Sequence, residues 1–262
     1  MTMPVLEVHQ LRKVYQDRNR TVEAVRDLTF DVNPGEFLCI VGPSGAGKTT
    51  LLRCIAGLLS PTEGEVLLEG RRITAPPADM ALVFQEYGRS LFPWLTVRQN
   101  VELPLKEKRL PASERQKRVV EALDAVGLGD VAGAHPWQLS GGMQQRVAIA
   151  RAVAYGPRVL VMDEPFAAVD AQTRADLEDL VRDLWRRLEV TVLFVTHDID
   201  ESVYLGERIL VLTAAPTVIL GDVKVDLPTD RDQLETRSSA RFGALRAEVY
   251  ELVQRAKRGD RP

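Results

Sequence analysis

Residues 42–50 read Gly-Pro-Ser-Gly-Ala-Gly-Lys-Thr-Thr, and the interpretation of the whole chain starts from this stretch. Two glycines separated by four residues, with Lys and Thr directly after the second, are the pattern of a loop that cradles phosphate groups. Glycine lets successive backbone N–H groups point inward, and the N-terminus of a helix predicted over 48–58 adds positive potential. Lys48 then places its ammonium between the β- and γ-phosphates of a nucleotide, and the Thr49 hydroxyl is placed to bind Mg²⁺.

The segments on either side of this loop support the same interpretation. Residues 36–41 form a short apolar run, which is typical of a buried parallel strand. Leucine and isoleucine then recur at helical spacing, at Leu51, Leu52, Ile55 and Leu58. The sequence therefore predicts a strand, a phosphate-binding loop and a helix in succession.

Composition limits the class of protein. A chain of 262 residues with 45% hydrophobic and 27% charged residues can bury one substantial core with an inserted subdomain. The formal net charge of −3 excludes the overall basic field that favours nucleic acid. Cys39 and Cys54 lack metal-ligand spacing, so we expect small core residues rather than a disulfide framework. We also expect no signal peptide and no membrane-spanning segment, which needs about 18–20 apolar residues.

Weaker patterns outline the remaining elements. Residues 5–35 read as strand, polar stretch, strand, with Tyr15 in the polar stretch. Tyr15 is either a half-exposed core aromatic or a platform on which a base stacks. Helices are predicted over about 96–108 and from Ser113, a candidate N-cap, to about 126. Two short strands over 209–226 predict a small hairpin or a sheet edge, and a helix over about 239–256 follows.

Polar residues follow two further apolar strands and indicate a catalytic edge. Asp163 and Glu164 end one strand and His197 ends the next, and ligands of open parallel sheets bind beyond such carboxyl ends. One carboxylate can hold Mg²⁺ through water, while the other polarises an attacking water. Ser140-Gly141-Gly142 opens another predicted helix, which is either a second anion site or a capped surface helix without a ligand.

In these motifs the chain resembles the ATP-binding subunits of ABC transporters over essentially its full length. Seven motifs match in order: the adenine-stacking aromatic (Tyr15), the Walker A loop (42–50), the Q-loop (Gln85), the Leu-Ser-Gly-Gly signature (139–145), Walker B (159–163), the D-loop (Asp170) and the switch histidine (His197). The resemblance implies that Glu164, His197, Lys48 and Gln85 act in catalysis and that Thr49, Gln85 and Asp163 bind the metal. It assigns nucleotide binding to Tyr15, Gly42, Pro43, Ser44, Gly45, Ala46, Gly47, Lys48, Thr49, Thr50, Ser140, Gly141, Gly142, Gln144 and Asp170.

The resemblance also implies an arrangement and a reaction. In the family, two subunits face head to tail, and ATP on one Walker A loop is covered by the signature helix of the other. ATP with Mg²⁺ is hydrolysed by in-line phosphoryl transfer to water. Glu164 orients or deprotonates this water, and His197 contacts the γ-phosphate of ATP. The implied fold is α/β: a P-loop NTPase core with a parallel sheet, an N-terminal antiparallel β subdomain and an inserted helical subdomain. Residues 1–262 form one such domain, with the helical insertion at 86–155 and a C-terminal extension with a helix at 222–262.

Residues 84–86 and the apolar stretch 91–95 are similar to the subfamily that imports nitrate, sulfonates, taurine and related compounds. The resemblance implies a subunit on the cytoplasmic face of the membrane that energises uptake through a separate permease, with a solute-binding protein as an indirect partner. The exposed Phe92 and Trp94 are expected to dock the permease. The alternatives are a soluble ABC ATPase acting on nucleic acid or ribosomes, which usually carries coiled-coil insertions or a second cassette, and an exporter subunit. We expect no nucleic-acid partner, and the solute is not fixed by this sequence.

Overall fold

The structure is a computed structural model that describes residues 3–17, 20–85 and 87–261. Residue 86, the first of the predicted insertion, lies outside these ranges. The strands are β1 (Leu6–Asp17), β2 (Arg20–Val32), β3 (Phe37–Val41), β4 (Glu63–Leu68), β5 (Arg71–Arg72), β6 (Met80–Val83), β7 (Val159–Asp163), β8 (Thr191–Thr196), β9 (Arg208–Leu212) and β10 (Thr217–Lys224). The α-helices are α1 (Lys48–Ile55), α2 (Tyr87–Ser90), α3 (Val97–Glu102), α4 (Ala112–Ala125), α5 (Gly141–Tyr155), α6 (Ala171–Leu188), α7 (Ile199–Leu205), α8 (Glu235–Ser238) and α9 (Ala240–Arg258).

The elements fall into two compact units, one built from the residues up to Pro77 and from Glu189 onward, the other from Ala78–Leu188. Within the first unit the strand order is β5-β4-β1-β2-β10-β9-β3-β8. Strand β3 lies between β8 and β9 and is parallel to both, and all five of its residues are buried. The parallel pairing and the run of five buried apolar side chains agree with the prediction for residues 36–41.

The N-terminal strands are longer than the sequence pattern suggested. Strands β1 and β2 pair antiparallel from Leu6↔Val32 to Asp17↔Arg20, with three shifts of register. Tyr15 therefore lies in β1, not in a polar connection between two short strands. The polar residues of this stretch occupy the exposed end of a long ribbon, where burial does not demand apolar side chains.

Strands β9 and β10 form the predicted antiparallel hairpin, but they do not lie at an edge of the sheet. Strand β10 pairs in parallel with β2, and β9 pairs in parallel with β3. The hairpin thus joins the antiparallel N-terminal strands to the parallel core strands. Its connection contains a cis peptide bond between Ala215 and Pro216.

The C-terminal helix α9 packs on its own unit, as predicted. Phe242, Leu245 and Val249 are buried, and Leu252 is half-buried with its side chain over Gly221 of β10. Ser239 caps the helix by accepting a hydrogen bond from the Phe242 N–H.

The second unit contains the parallel pair β6 and β7 with a group of helices around α5. The helix predicted over 96–108 is interrupted, since α3 gives way to a 3-10 helix at Leu103–Lys106 whose start contains a proline. Ser113 is not the cap of α4, which begins one residue earlier, after Pro111 and without a side-chain cap. None of the helices in the described part of the chain has the length and apolar character needed to cross a membrane.

Candidate functional site

The phosphate loop of the first unit is tightly folded around its lysine. The Lys48 ammonium donates hydrogen bonds to the carbonyls of Gly42 (3.0 Å) and Pro43 (3.2 Å), and the side chain is buried. Gly47, at the N-cap position of α1, has a left-handed backbone with φ 69°, and no side chain caps the helix. The residue before α1 therefore offers no side-chain acceptor to the helix start, which suits a helix start that binds an anion.

A residue far along the chain holds this loop in place. The Thr217 side chain is fully buried, and its hydroxyl lies 2.9 Å from the Ala24 carbonyl oxygen and 2.5 Å from that of Ala46. A Cβ added at Gly47 would lie 2.9 Å from the Ala24 carbonyl oxygen and 3.1 Å from the Thr217 hydroxyl. Sequence reasoning missed Thr217, because nothing in residues 209–226 indicates a contact with a loop 171 positions earlier.

Tyr15 is linked to the helix that follows the phosphate loop. Its hydroxyl shares a hydrogen bond of 3.1 Å with the Thr50 hydroxyl, and its ring is 41% exposed. The Lys13 ammonium lies 5.5 Å from the ring centroid. An exposed ring that is fixed at one end is suited to stacking, and the place of Tyr15 among the nucleotide-binding residues stays a prediction.

His197 reaches the same edge of the sheet as the phosphate loop. Val41 of β3 is the parallel neighbour of Thr196 of β8, so the residues that follow both strands leave the sheet side by side. Asp198, next in the chain, caps α7 by accepting from the Glu201 N–H. The exposed His197 also lines a cavity of about 610 Å³ whose opposite wall comes from α9, through Gly243, Arg246, Ala247 and Tyr250.

The predicted acidic pair lies at the end of β7 in the second unit. Asp163 is the last residue of the strand and is 8% exposed. Glu164 follows with φ 43°, a left-handed conformation that is uncommon outside glycine and is found at functional sites. Its Oε2 lies 3.5 Å from Nε2 of Gln85, so the unit brings together the predicted base and the predicted Q-loop glutamine.

The signature segment starts helix α5 as predicted, and it contacts the start of α6. Ser140 accepts a hydrogen bond from the Met143 N–H. A Cβ added at Gly142 would lie 2.4 Å from the Cγ2 methyl of Thr173. Thr173 in turn binds the Asp170 carboxylate through its N–H (3.0 Å) and its hydroxyl (2.8 Å), and these bonds lower the pKa of Asp170. Asp170 therefore caps α6, a role that the sequence analysis did not assign.

The side chain of Gln144 turns back to the loop that precedes α5. Its Nε2 donates to the carbonyls of Pro136 (3.0 Å) and Leu139 (3.2 Å), so it fastens the loop that precedes the signature. Its place among the nucleotide-binding residues stays a prediction.

The residues predicted to bind Mg²⁺ offer a chemically suitable set of donors. Thr49 supplies a hydroxyl, Asp163 a carboxylate and Gln85 an amide oxygen, and Mg²⁺ prefers such oxygen ligands. Thr49 lies in the first unit, whereas Gln85 and Asp163 lie in the second. The predicted site residues thus fall into two groups, one in each unit.

Comparisons with known proteins agree with these motifs. A family model described as ABC transporter matches residues 25–167. The nitrate import ATP-binding protein NrtD of Synechocystis is 45% identical over 233 residues, which is 89% of this chain and 87% of that protein. The bicarbonate transport ATP-binding protein CmpC of Synechococcus elongatus is 45% identical over 238 residues, 90% of this chain but 36% of that longer protein.

A solved structure matches the fold as well as the sequence. It is the dimeric, post-hydrolysis ATP-binding cassette MJ0796 bound to ADP and Pi, with a TM-score of 0.75 and 35% identity. The match covers 85% of this chain and 100% of that cassette. The chain therefore has the α/β fold of P-loop NTPase cassettes that the sequence analysis predicted.

Proposed function

Because this chain belongs to the ABC transporter family of ATP-binding proteins, we propose that it is the ATP-hydrolysing subunit of an importer for a small solute. The relatives named for nitrate import and bicarbonate transport support a small anion as the solute. The permease and the solute-binding protein are then separate chains, and this subunit sits on the cytoplasmic face of the membrane. The whole of residues 1–262 acts as one ATP-binding domain, with 86–155 as its helical insertion.

The observation that carries this proposal is the conformation of Glu164. A charged residue is held in left-handed backbone directly after a buried strand, beside the amide of Gln85. This placement suits a carboxylate that orients and deprotonates a water molecule attacking the γ-phosphate. Lys48 and the N–H groups at the start of α1 stabilise the charge of the transferring phosphoryl group, and His197 contacts its oxygens.

Mg²⁺, when bound with ATP, neutralises charge on the phosphates. In our proposal it is held by the Thr49 hydroxyl, the Asp163 carboxylate through water and the Gln85 amide oxygen. The remaining contacts come from a second copy of the chain, whose Ser140, Gly141 and Gly142 cover the nucleotide at the start of α5. Hydrolysis then requires two copies to close on each other.

Docking to the permease is assigned to the apolar loop before α3. The Trp94 side chain is 70% exposed, and its ring meets that of Phe92 edge to face at 5.4 Å. The Asn100 side chain ties the backbone of Phe92, Leu95 and Thr96 together, so the loop presents these rings on a fixed base. A rigid, exposed aromatic pair is suited to a partner surface.

The substitution Glu164→Gln tests the catalytic assignment. The amide keeps the shape of the side chain but cannot accept the proton, so we expect ATP binding with turnover lowered by about 100-fold or more. We also expect an ATP-dependent dimer in size-exclusion chromatography. Glu189→Gln is the matched control, because Glu189 is exposed and also has positive φ, 49°. Wild-type turnover by Glu164→Gln would overturn the role of this residue.

A further inference from the structure

Three potential metal ligands converge on the outer face of the N-terminal strands, outside the site described above. Glu7 and His9 are two residues apart on β1, so their side chains point to the same face of the sheet. Asp31 is the residue of β2 directly opposite Glu7. One ligand atom from each of the three side chains lies within 4.8 Å of the other two.

The spacing already present suits a first-row divalent ion. Nε2 of His9 lies 3.3 Å from Oε2 of Glu7. Two ligands on a tetrahedral zinc ion, with bond lengths of about 2.0–2.2 Å, lie about 3.3–3.5 Å from each other. Two of the three ligands therefore stand at coordination distance, and a carboxylate oxygen of Asp31 lies within 4.8 Å of both.

The charges of this face also require an explanation. Glu7 and Asp31 are like charges at directly opposed positions of an antiparallel pair, an arrangement that destabilises a sheet. Among the residues that the structure describes, no lysine or arginine forms an ion pair with either carboxylate. Glu65, which lies opposite His9 on β4, adds further negative charge nearby and is itself paired with Arg72 at 3.5 Å. A bound cation would convert the repulsion between Glu7 and Asp31 into attraction.

We propose that Glu7, His9 and Asp31 form a zinc-class metal site that links β1 to β2. One imidazole nitrogen and two carboxylate oxygens suit Zn²⁺ and related N/O-binding ions better than Mg²⁺ or Ca²⁺, which prefer oxygen ligands alone. The His9 and Glu7 side chains are 41% and 21% exposed, so an ion can reach them from solvent. Three protein ligands leave one coordination position of a tetrahedral ion for water.

The site has a structural consequence for its neighbours. Strand β1 continues to Tyr15, and β2 contains Ala24, whose carbonyl accepts the hydrogen bond of Thr217 at the phosphate loop. An ion that joins Glu7 to Asp31 thus adds a link between the two strands that also carry Tyr15 and Ala24, about seven or eight residues along each strand from the proposed site. This inference does not depend on the proposed transport function, since it concerns metal binding by the isolated chain.

Calorimetric titration of ZnCl₂ into the chelator-treated, nucleotide-free chain tests the site. We expect one Zn²⁺ per chain and a melting temperature that rises with Zn²⁺ concentration, because the ion binds the folded state. His9→Ala should weaken binding by about tenfold or more, and Asp31→Asn should weaken it without altering the shape of the side chain. Both positions are partly exposed or exposed, so both variants should fold.

His135→Ala is the matched control, because the chain has three histidines and His135 lies in the other unit. It should bind Zn²⁺ as the wild type does. The proposal is wrong if the wild type fails to bind Zn²⁺, or if His9→Ala binds as tightly as the wild type. It is equally wrong if His135→Ala removes binding to the same extent as His9→Ala.

Discussion

The contact between Gly142 and Thr173 gives the sharpest prediction from this structure. In Gly142→Ala the new methyl would lie 2.4 Å from Cγ2 of Thr173, whereas carbon atoms pack at about 3.5–4.0 Å. The Cβ and hydroxyl of Thr173 would be 3.8 Å from it, an ordinary contact, so the clash involves the methyl group alone. The chain can relieve it only by separating α5 from α6 or by rotating Thr173.

Each of these two adjustments lowers the stability of the fold by an amount that can be estimated. Rotation of Thr173 breaks its hydroxyl bond of 2.8 Å to Asp170, and helix separation opens the packing behind the signature segment. Overpacking of this kind costs about 1–3 kcal/mol. For a chain of this length that corresponds to a fall in melting temperature of roughly 2–12 °C, which a thermal scan of purified protein measures.

The double variant Gly142→Ala/Thr173→Ser separates this explanation from a general intolerance of the helix start. Serine lacks the clashing methyl but keeps the hydroxyl and the N–H that bind Asp170, so the melting temperature should return close to that of Thr173→Ser alone. A Gly142→Ala variant as stable as the wild type would refute the contact. A double variant as unstable as Gly142→Ala would refute the assignment of the clash to the methyl group.

The same hydrogen bonds give this result a dependence on pH. Because the N–H and hydroxyl of Thr173 lower the pKa of Asp170, the cap stabilises the fold above the pKa of an unfolded aspartate. That contribution is lost as the pH falls through the lowered pKa of the folded state. Any part of the Gly142→Ala effect that comes from a broken cap should therefore diminish in acid, whereas the steric part should persist.

Three further predictions concern other parts of the molecule. Thr217→Val keeps the shape of the side chain but removes the hydroxyl that bonds to two backbone carbonyls. A thermal scan should show stability lowered by about 1–3 kcal/mol, and calorimetry should show weaker nucleotide binding. Thr217→Ser keeps the hydroxyl and should change neither. Cys39 and Cys54 are buried and burial raises the pKa of the Cys54 thiol to about 11, so iodoacetamide at pH 8 should label neither until the chain is unfolded, as mass spectrometry would show. Trp94→Ser should weaken co-purification with the permease. Trp137→Ser is the control, because Trp137 is equally exposed (71%), and it should leave co-purification unchanged. Equal effects of the two substitutions would contradict the assignment of the loop before α3 to docking.

The parts of the site that could be predicted from sequence are those encoded by neighbouring residues. The phosphate loop, the cap of α5 at Ser140 and the acidic end of β7 each depend on a few consecutive positions and on the element that follows. Local backbone chemistry determines them, so the pattern alone is informative. The face of α9 was predicted for the same reason, because its buried positions recur with the period of one helix.

The parts that could not be predicted depend on pairing between distant segments. The polar residues around Tyr15 gave no sign that β1 continues to Asp17, because strand pairing with β2 supplies the hydrogen bonds whatever the side chains are. The sequence could not show whether the hairpin of β9 and β10 lies at an edge of the sheet, because the length of the two strands does not reveal that β2 and β3 flank them. Ser113 has a good capping side chain, but α4 begins at Ala112, so Ser113 lies inside the first turn and Pro111 occupies the N-cap position.

The glycines of the motifs show that a sequence motif does not by itself reveal why glycine is required at each of its positions. Gly45 has φ +77° and nothing within 4 Å of an added Cβ, so its backbone conformation is what requires glycine. Gly42 has no left-handed backbone, but an added Cβ would lie 2.9 Å from the Leu212 carbonyl oxygen, so proximity requires glycine there. Gly142 is also a case of proximity, this time to Thr173. Glycine is thus required for two different reasons, a left-handed backbone at one position and a lack of space for a Cβ at the others. The second reason depends on Leu212 and Thr173, which come from distant segments of the chain.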